Sequence, residues 1–99
     1  IQCAHAHGLL GGFLTPLYNK RTDEYGGDIN GRLRLTLEVI AKIRELCGDD
    51  FIIDVRISGD EYSEGGLTLN DMFYGSKNRT KIHMTPVCQI ISLNHVQCF

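Results

Sequence analysis

The last 28 residues of the chain contain no acidic side chain. All twelve Asp and Glu residues lie between residues 1 and 71, where only seven Lys and Arg oppose them, so this region has a net charge of −5. Residues 72–99 carry three basic residues and a net charge of +3. Three positive charges, on a chain whose net charge is −2, are too few to predict a nucleic-acid partner. The composition therefore divides the chain near Met72.

Paired cysteines and long apolar runs are missing as well. Cys3, Cys47, Cys88 and Cys98 form no C-x-x-C pair, so neither a zinc site nor a redox-active dithiol is indicated and no metal is predicted. No apolar run approaches the ~20 residues of a membrane span, and no signal peptide is visible. These absences predict a cytoplasmic location, free thiols and no membrane partner.

The most specific stretch is the charged loop, residues 19–28, which reads NKRTDEYGGD. Its glycine pair and mixed charges are typical of a surface turn near a site. Further motifs surround it in a fixed order: FLTP at 13–16, NGR at 30–32, GDDF at 48–51, VRIS at 55–58 and EGGLT at 64–68. Together they resemble the signature of the old yellow enzyme family of flavin-dependent ene-reductases and NADH:flavin oxidoreductases. The branch they resemble most contains 2,4-dienoyl-CoA reductases and bile-acid-inducible oxidoreductases.

This resemblance covers residues 1–74 and implies an α/β fold. A TIM (β/α)8 barrel takes ~250 residues, so a chain of 99 would be a fragment of one. We expect strands 4 and 5 with the intervening helix in residues 1–74, a partial flavin-binding segment. Residues 75–99 are expected to be a divergent, poorly ordered tail.

The resemblance also implies a function. It indicates an FMN-dependent oxidoreductase that uses NAD(P)H to reduce a small molecule, a carbonyl-activated alkene such as an enone or an enoyl thioester. FAD and an iron–sulfur cluster would belong only to a longer parent protein, which we expect to be a homo-oligomer. The alternative is a truncated or frameshifted fragment without independent activity. We expect this chain alone to be inactive.

The middle of the chain predicts a helix. Residues 29–47 place apolar side chains at spacings of three and four, so one face would carry Leu33, Leu37, Ile40, Ile43 and Cys47. Asp28 stands at the N-cap position and Gly48 at the position of a left-handed C-cap. Thr68 and Asp71 resemble a capping box that begins another helix.

Residues 51–57 predict a strand with two unlike faces. The apolar row is Phe51, Ile53, Val55 and Ile57, which we expect to lie under helices. The other row contains Asp54 and Arg56 and would face a barrel interior or a site. Charges that face inward need partners, because an unpaired buried charge is too costly.

Arg56 is the cofactor-binding candidate. It lies at the carboxyl end of a strand, the end of a barrel that carries the site. By resemblance it contacts the isoalloxazine of FMN, where its positive charge would stabilise negative charge on the reduced ring. An ion pair with Asp54 or a loop carboxylate is the alternative. Glu61, Tyr62 and Glu64 lie in the following loop within reach of a substrate, although solvated side chains are expected there.

The start of the chain supplies the catalytic candidates. The family carries a His-x-x-His or His-x-x-Asn pair that holds the substrate carbonyl, and a Tyr two residues later that donates a proton. Counted from the first residue, Gln2 and His5 fall on the substrate-binding pair and His7 on the tyrosine. In this register Gln2 donates an amide hydrogen bond, and His5 and His7 are the catalytic residues.

A second register remains open. Counted back from Gly8, Ala4 and His7 fall on the pair and Leu9 on the tyrosine, so the proton donor is lost. Spacing to the FLTP motif is off by one residue in both registers.

Beyond Tyr74 the acidic residues, the helical periodicity and the family motifs are all absent. This simultaneous loss predicts a frameshift or an aberrant end of the reading frame.

Overall fold

The computed structural model describes residues 1–3, 8–71 and 89–92. Its elements are β1 (Gln2–Cys3), α1 (Gly8–Leu14), α2 (Ile29–Cys47), β2 (Asp54–Ile57) and β3 (Gln89–Ser92). The strands form one sheet in the order β1-β2-β3, in which β1 and β2 are parallel and β2 and β3 antiparallel. The predictions for His5 and His7 lie outside the described residues, as do most of those for the tail.

The predicted helix is confirmed as α2, with the same bounds. Asp28 is its N-cap, and its Oδ1 accepts a hydrogen bond of 3.0 Å from the backbone nitrogen of Gly31. Gly48 is the C-cap with φ +86°, but its ψ of 174° corrects the predicted left-handed helical conformation. The chain leaves α2 extended, and Arg44 Nη1 donates to the carbonyls of Gly48, Asp49 and Phe51 at 3.0, 2.9 and 2.6 Å. This arginine donates to carbonyls just past the helix end, and the Phe51 nitrogen also donates to Gly48 O at 3.4 Å.

The face that α2 buries differs in part from the predicted one, although Leu33, Ile40 and Ile43 pack against the core as predicted. Leu37 is 51% exposed and Cys47 is also exposed, whereas Ile29, Arg32 and Thr36 are buried. Arg32 is buried with two acceptors, since its Nε donates to Leu14 O at 2.9 Å and its Nη1 to Gly27 O at 2.5 Å. A buried guanidinium needs such acceptors, and they allow Arg32 to be buried at a position outside the predicted apolar face.

The core lies between the sheet and the two helices. Its buried members are Cys3, Leu14, Ile29, Ile53, Val55, Ile57 and Leu67, with Leu33, Ile40 and Ile43 of α2 packed against them. Each fully buried aliphatic side chain contributes roughly 1.5–3 kcal/mol. Neither helix in the described part of the chain is long and apolar enough to cross a membrane.

The strand β2 is shorter than predicted. It begins at Asp54, and Phe51 lies in a bend and is 50% exposed, so it does not belong to the buried row. Pairing with residues 1–3 sets this bound. The backbone nitrogen of Ile1 donates to Asp54 O at 2.6 Å, and Arg56 N donates to Ile1 O at 2.8 Å. Strand bounds follow hydrogen-bond partners, which an alternation pattern does not reveal.

The described residues thus form a mixed helix–sheet unit, in agreement with the α/β prediction.

The thiol of Cys3 lies under α2, with its Sγ 4.0 Å from Thr36 Oγ1, and burial raises the pKa of this thiol. A raised pKa leaves little thiolate at neutral pH, so Cys3 acts as a packing residue.

Candidate functional site

The carboxyl ends of β1 and β2 meet at one edge of the sheet. Their parallel register pairs Gln2 with Arg56 and Cys3 with Ile57. Cys3 and Ile57 belong to the buried face, so Gln2 and Arg56 hold neighbouring register positions on the opposite face. Two of the predicted site residues are therefore adjacent in the sheet. Leu9, the tyrosine position of the second register, lies in α1 and is 71% exposed.

The polar row of β2 lies on the face that the helices leave uncovered. Asp54 and Arg56 are exposed, whereas Val55 and Ile57 are buried at 1% and 4% exposure. This confirms the predicted alternation over residues 54–57. It places a permanent positive charge at the carboxyl end of a strand, where a parallel α/β arrangement positions its ligands.

The β2 loop, residues 58–68, follows this strand, and Glu61 holds it in place. Thr15 Oγ1 donates to Glu61 Oε2 at 2.6 Å, and the backbone nitrogen of Leu67 donates to the same oxygen at 2.7 Å. The backbone nitrogen of Glu61 in turn donates to Leu67 O at 3.0 Å. The expectation of a solvated Glu61 is therefore wrong, whereas Tyr62 and Glu64 are exposed as expected.

No sequence signal marks Glu61 as a structural residue. Its partner Thr15 is 46 positions away, and only folding brings the two together.

Local spacing in the sequence predicts where the next helix begins. Thr68 and Asp71 form the predicted capping box, since Asp71 Oδ2 accepts from the Thr68 nitrogen at 3.0 Å and Asp71 N donates to Thr68 Oγ1 at 3.3 Å.

The charged loop is held together by one asparagine. Asn19 Nδ2 donates to Phe13 O at 2.6 Å and to Tyr25 O at 2.7 Å, which closes the loop onto the end of α1. The Phe13 and Tyr25 rings meet edge to face with centroids 6.4 Å apart. The Tyr25 hydroxyl donates to Glu38 Oε2 at 3.1 Å, and this bond raises the pKa of Tyr25.

Arg21 and Asp23 form an exposed ion pair in the same loop. Arg21 Nε donates to both carboxylate oxygens of Asp23, at 2.9 and 3.1 Å, and its Nη2 donates to Oδ2. The pair raises the pKa of Arg21 and lowers that of Asp23. The guanidinium lies 5.6 Å from the centre of the Phe13 ring, a cation–π contact. These partners give Arg21 a structural role in the loop.

Two glycines of this region allow close backbone contacts. A Cβ on Gly26 would lie 2.1 Å from Arg21 O, and one on Gly31 would lie 2.0 Å from Gly26 O. Neither position has room for a side chain. The YGG and NGR motifs are thus explained by packing between the charged loop and the first turn of α2.

Comparison with known proteins identifies the origin of these motifs. The sequence profile of the NADH:flavin oxidoreductase / NADH oxidase family matches residues 1–97. The chain belongs to this family. Its membership confirms the resemblance to old yellow enzymes. The family implies a TIM barrel, whereas the described residues form a mixed helix–sheet unit and show no barrel.

Individual relatives match a shorter part of the chain. The NADH oxidase of Thermoanaerobacter brockii is 46% identical over 72 residues, which are 72% of this chain and 11% of that protein. The NADPH dehydrogenase of Halalkalibacterium halodurans is 49% identical over 72 residues, or 72% of this chain and 21% of that protein. The metal reductase of Desulforamulus reducens is 48% identical over 65 residues, 66% of this chain and 10% of that protein. The chain thus spans about a tenth to a fifth of their lengths.

Proposed function

We propose that this chain is the part of an FMN-dependent oxidoreductase that places Arg56 beside the flavin. The observation that carries the proposal is the position of Arg56. It lies at the carboxyl end of β2, on the uncovered face and in register with Gln2. In the proposed parent, residues 1–74 supply strands 4 and 5 of a TIM barrel, and residues 75–99 are a divergent tail.

The residues present fit a flavin chemically. A guanidinium offers charged donors in a planar fork, which suits an anionic, planar partner. Bound FMN would supply hydride transfer from NAD(P)H to the substrate. Arg56 holds positive charge at the strand end. Gln2 and His5 bind the carbonyl oxygen of an enone or enoyl thioester, and His7 gives the proton that completes the reduction.

The relatives support a role of this segment in the flavin chemistry that they share, and give less support to a role in choosing the substrate. Their names record different activities: NADH oxidase, NADPH dehydrogenase and metal reductase. All three are 46–49% identical to this chain over the same kind of segment. A segment common to such different activities fits the handling of the flavin, which the reactions have in common. The substrate is then chosen by parts of the parent protein outside this segment.

The antiparallel strand β3 favours a second candidate, a fragment without independent activity. The strands of a TIM barrel are all parallel. Here the edge of β2 opposite β1 pairs with Gln89–Ser92 in the antiparallel sense, from Asp54↔Ser92 to Ile57↔Gln89. A strand in this orientation takes the place that the next barrel strand would need. Continuous sequencing of the source gene tests whether the tail is a frameshift, and one uninterrupted frame would exclude it.

A hybrid enzyme tests the role of Arg56. The 72 matched residues of the H. halodurans NADPH dehydrogenase are replaced by those of this chain, and bound FMN and its midpoint potential are measured. Arg56→Ala should weaken FMN binding roughly tenfold or more, because a hydrogen bond to a charged group is lost, and should lower the potential. Arg34→Ala, an exposed arginine on α2, is the matched control. Unchanged affinity and potential in the Arg56→Ala hybrid would show that the assignment is wrong.

The 99-residue chain itself tests the second candidate. With excess FMN we expect clearly less than one bound flavin per chain, because neighbouring strands of the barrel supply the remaining contacts in this proposal. A monodisperse protein that melts cooperatively and carries one FMN would overturn this candidate.

A further inference from the structure

Glu61 joins the β2 loop to the segment that follows α1. Its Oε2 accepts from Thr15 Oγ1 at 2.6 Å and from Leu67 N at 2.7 Å. Thr15 directly follows α1, the helix after β1, whereas Leu67 lies near the end of the β2 loop. One carboxylate oxygen therefore connects the segment after β1 with the segment after β2.

The connection is partly buried. Thr15 is 0% and Leu67 is 2% exposed. Glu61 Oε1 is also buried and has no hydrogen-bond partner among the residues that the structure describes. Hydrogen bonds to a charged acceptor are stronger in such surroundings than in water. A solvated loop carboxylate would show neither the burial nor the long-range partner.

The β2 loop is shaped around this carboxylate. A Cβ on Gly66 would lie 2.9 Å from Glu61 Oε2 and 3.0 Å from Glu61 Cβ. Gly66 N donates to Ser63 O at 2.9 Å, which closes the turn below the carboxylate. The second glycine of the EGG motif thus leaves the space that Glu61 occupies.

We propose that Glu61 is a positioning residue for the edge of the sheet at which Arg56 would contact the flavin. It acts by holding the β2 loop, which begins two residues after Arg56, against the segment that follows β1. The candidate substrate-binding positions Gln2 and His5 precede that segment. Loss of Glu61 releases the β2 loop from the segment that follows α1 and changes the surroundings of Arg56. This inference rests on the proposed function, whereas the loop connection itself does not.

Amide hydrogen exchange of the full 99-residue chain tests the connection. Glu61→Ala should accelerate exchange at Leu67 by about tenfold or more relative to the amides of α2, because a charge-assisted hydrogen bond protects that amide. Glu61→Gln keeps an acceptor oxygen and should restore most of the protection. Glu64→Ala, an exposed acid of the same loop, is the control. If Leu67 exchanges in the unmodified chain at the rate of an unstructured peptide, the connection does not exist.

The hybrid enzyme tests the positioning role. There Glu61→Ala should shift the flavin potential in the same direction as Arg56→Ala but by a smaller amount, and Glu61→Gln should restore it. Thr15→Val, which removes one donor at constant shape, should give part of the Glu61→Ala shift. A hybrid that binds no FMN refutes the proposed function and with it the positioning role. A flavin potential that Glu61→Ala leaves unchanged refutes the positioning role alone.

Discussion

The charged loop and the β2 loop have similar compositions and different kinds of contact. Both carry acids and a glycine pair, and in both a glycine makes room for a close neighbour. The charged loop bonds to residues near it in sequence: Arg21 to Asp23 two residues on, Asn19 to carbonyls six residues away on each side, and Tyr25 to Glu38, 13 residues away. In the β2 loop, Glu61 bonds to Thr15, 46 residues away. Composition alone does not distinguish a loop with local contacts from one with tertiary contacts.

The largest expected change in the free energy of unfolding comes from replacing a glycine, and it should differ between the two loops. Gly26→Ala would place a Cβ 2.1 Å from a backbone oxygen, whereas Gly66→Ala would meet a side-chain oxygen at 2.9 Å. Side chains move more easily than backbone, so Gly26→Ala should lower the free energy of unfolding by ~3 kcal/mol and Gly66→Ala by about 1 kcal/mol. Urea denaturation of the chain measures both.

Gly12 provides the control for this pair. A Cβ there has no neighbour within 4 Å, and the residue lies inside α1. Gly12→Ala should stabilise the chain by about 0.5–1 kcal/mol, because alanine loses less conformational entropy in a helix. Equal stability of the Gly26→Ala and Gly66→Ala variants would remove the distinction between the loops.

Replacing Arg32 should have the next largest effect on the free energy of unfolding, because this residue connects the charged loop to α1. Arg32→Met keeps an apolar stem but leaves the carbonyls of Leu14 and Gly27 without their donor. We expect a loss of about 2 kcal/mol, the cost of unsatisfied buried groups. Arg34→Met, two positions along the same helix and exposed, should change the free energy of unfolding by less than about 0.5 kcal/mol. Thermal denaturation of the two variants compares them, and equal midpoints would contradict the anchoring role.

The smallest effect concerns pH and the local contacts of the charged loop. The pKa of Asp23 is lowered first by its hydrogen bond to Arg21, and that of Asp28 by the Gly31 backbone nitrogen. A carboxyl group whose pKa is lowered in the folded state stabilises the fold above the pKa of the unfolded chain, about 4. This stabilisation is lost as the pH falls through the lower pKa of the folded state. The melting temperature should therefore decline slightly as the pH falls below about 4. Asp23→Asn should reduce the decline. A variant with the same pH profile as the unmodified chain would exclude a contribution from this pair.

Sequence reasoning succeeded where the cause is local. The helix α2 has its predicted bounds because Asp28 and Gly48 act within one turn of the helix ends. Its buried face was wrong in part, since Arg32 finds acceptors in Leu14 and Gly27, and hydrophobic periodicity does not anticipate a buried arginine. The predicted roles of Gln2, His5, His7 and Arg56 stay predictions.

The sequence by itself determined the family, the helix, its caps and the alternation of residues 54–57. Each of these depends on neighbours within a few residues or on motifs in a fixed order, and such information is written along the chain. Only the tertiary structure decided which residues of α2 are buried, where β2 begins and that Glu61 bonds to Thr15. These features depend on hydrogen-bond partners distant in sequence. A buried polar group must find its partner wherever folding brings one, and no local pattern encodes that distance.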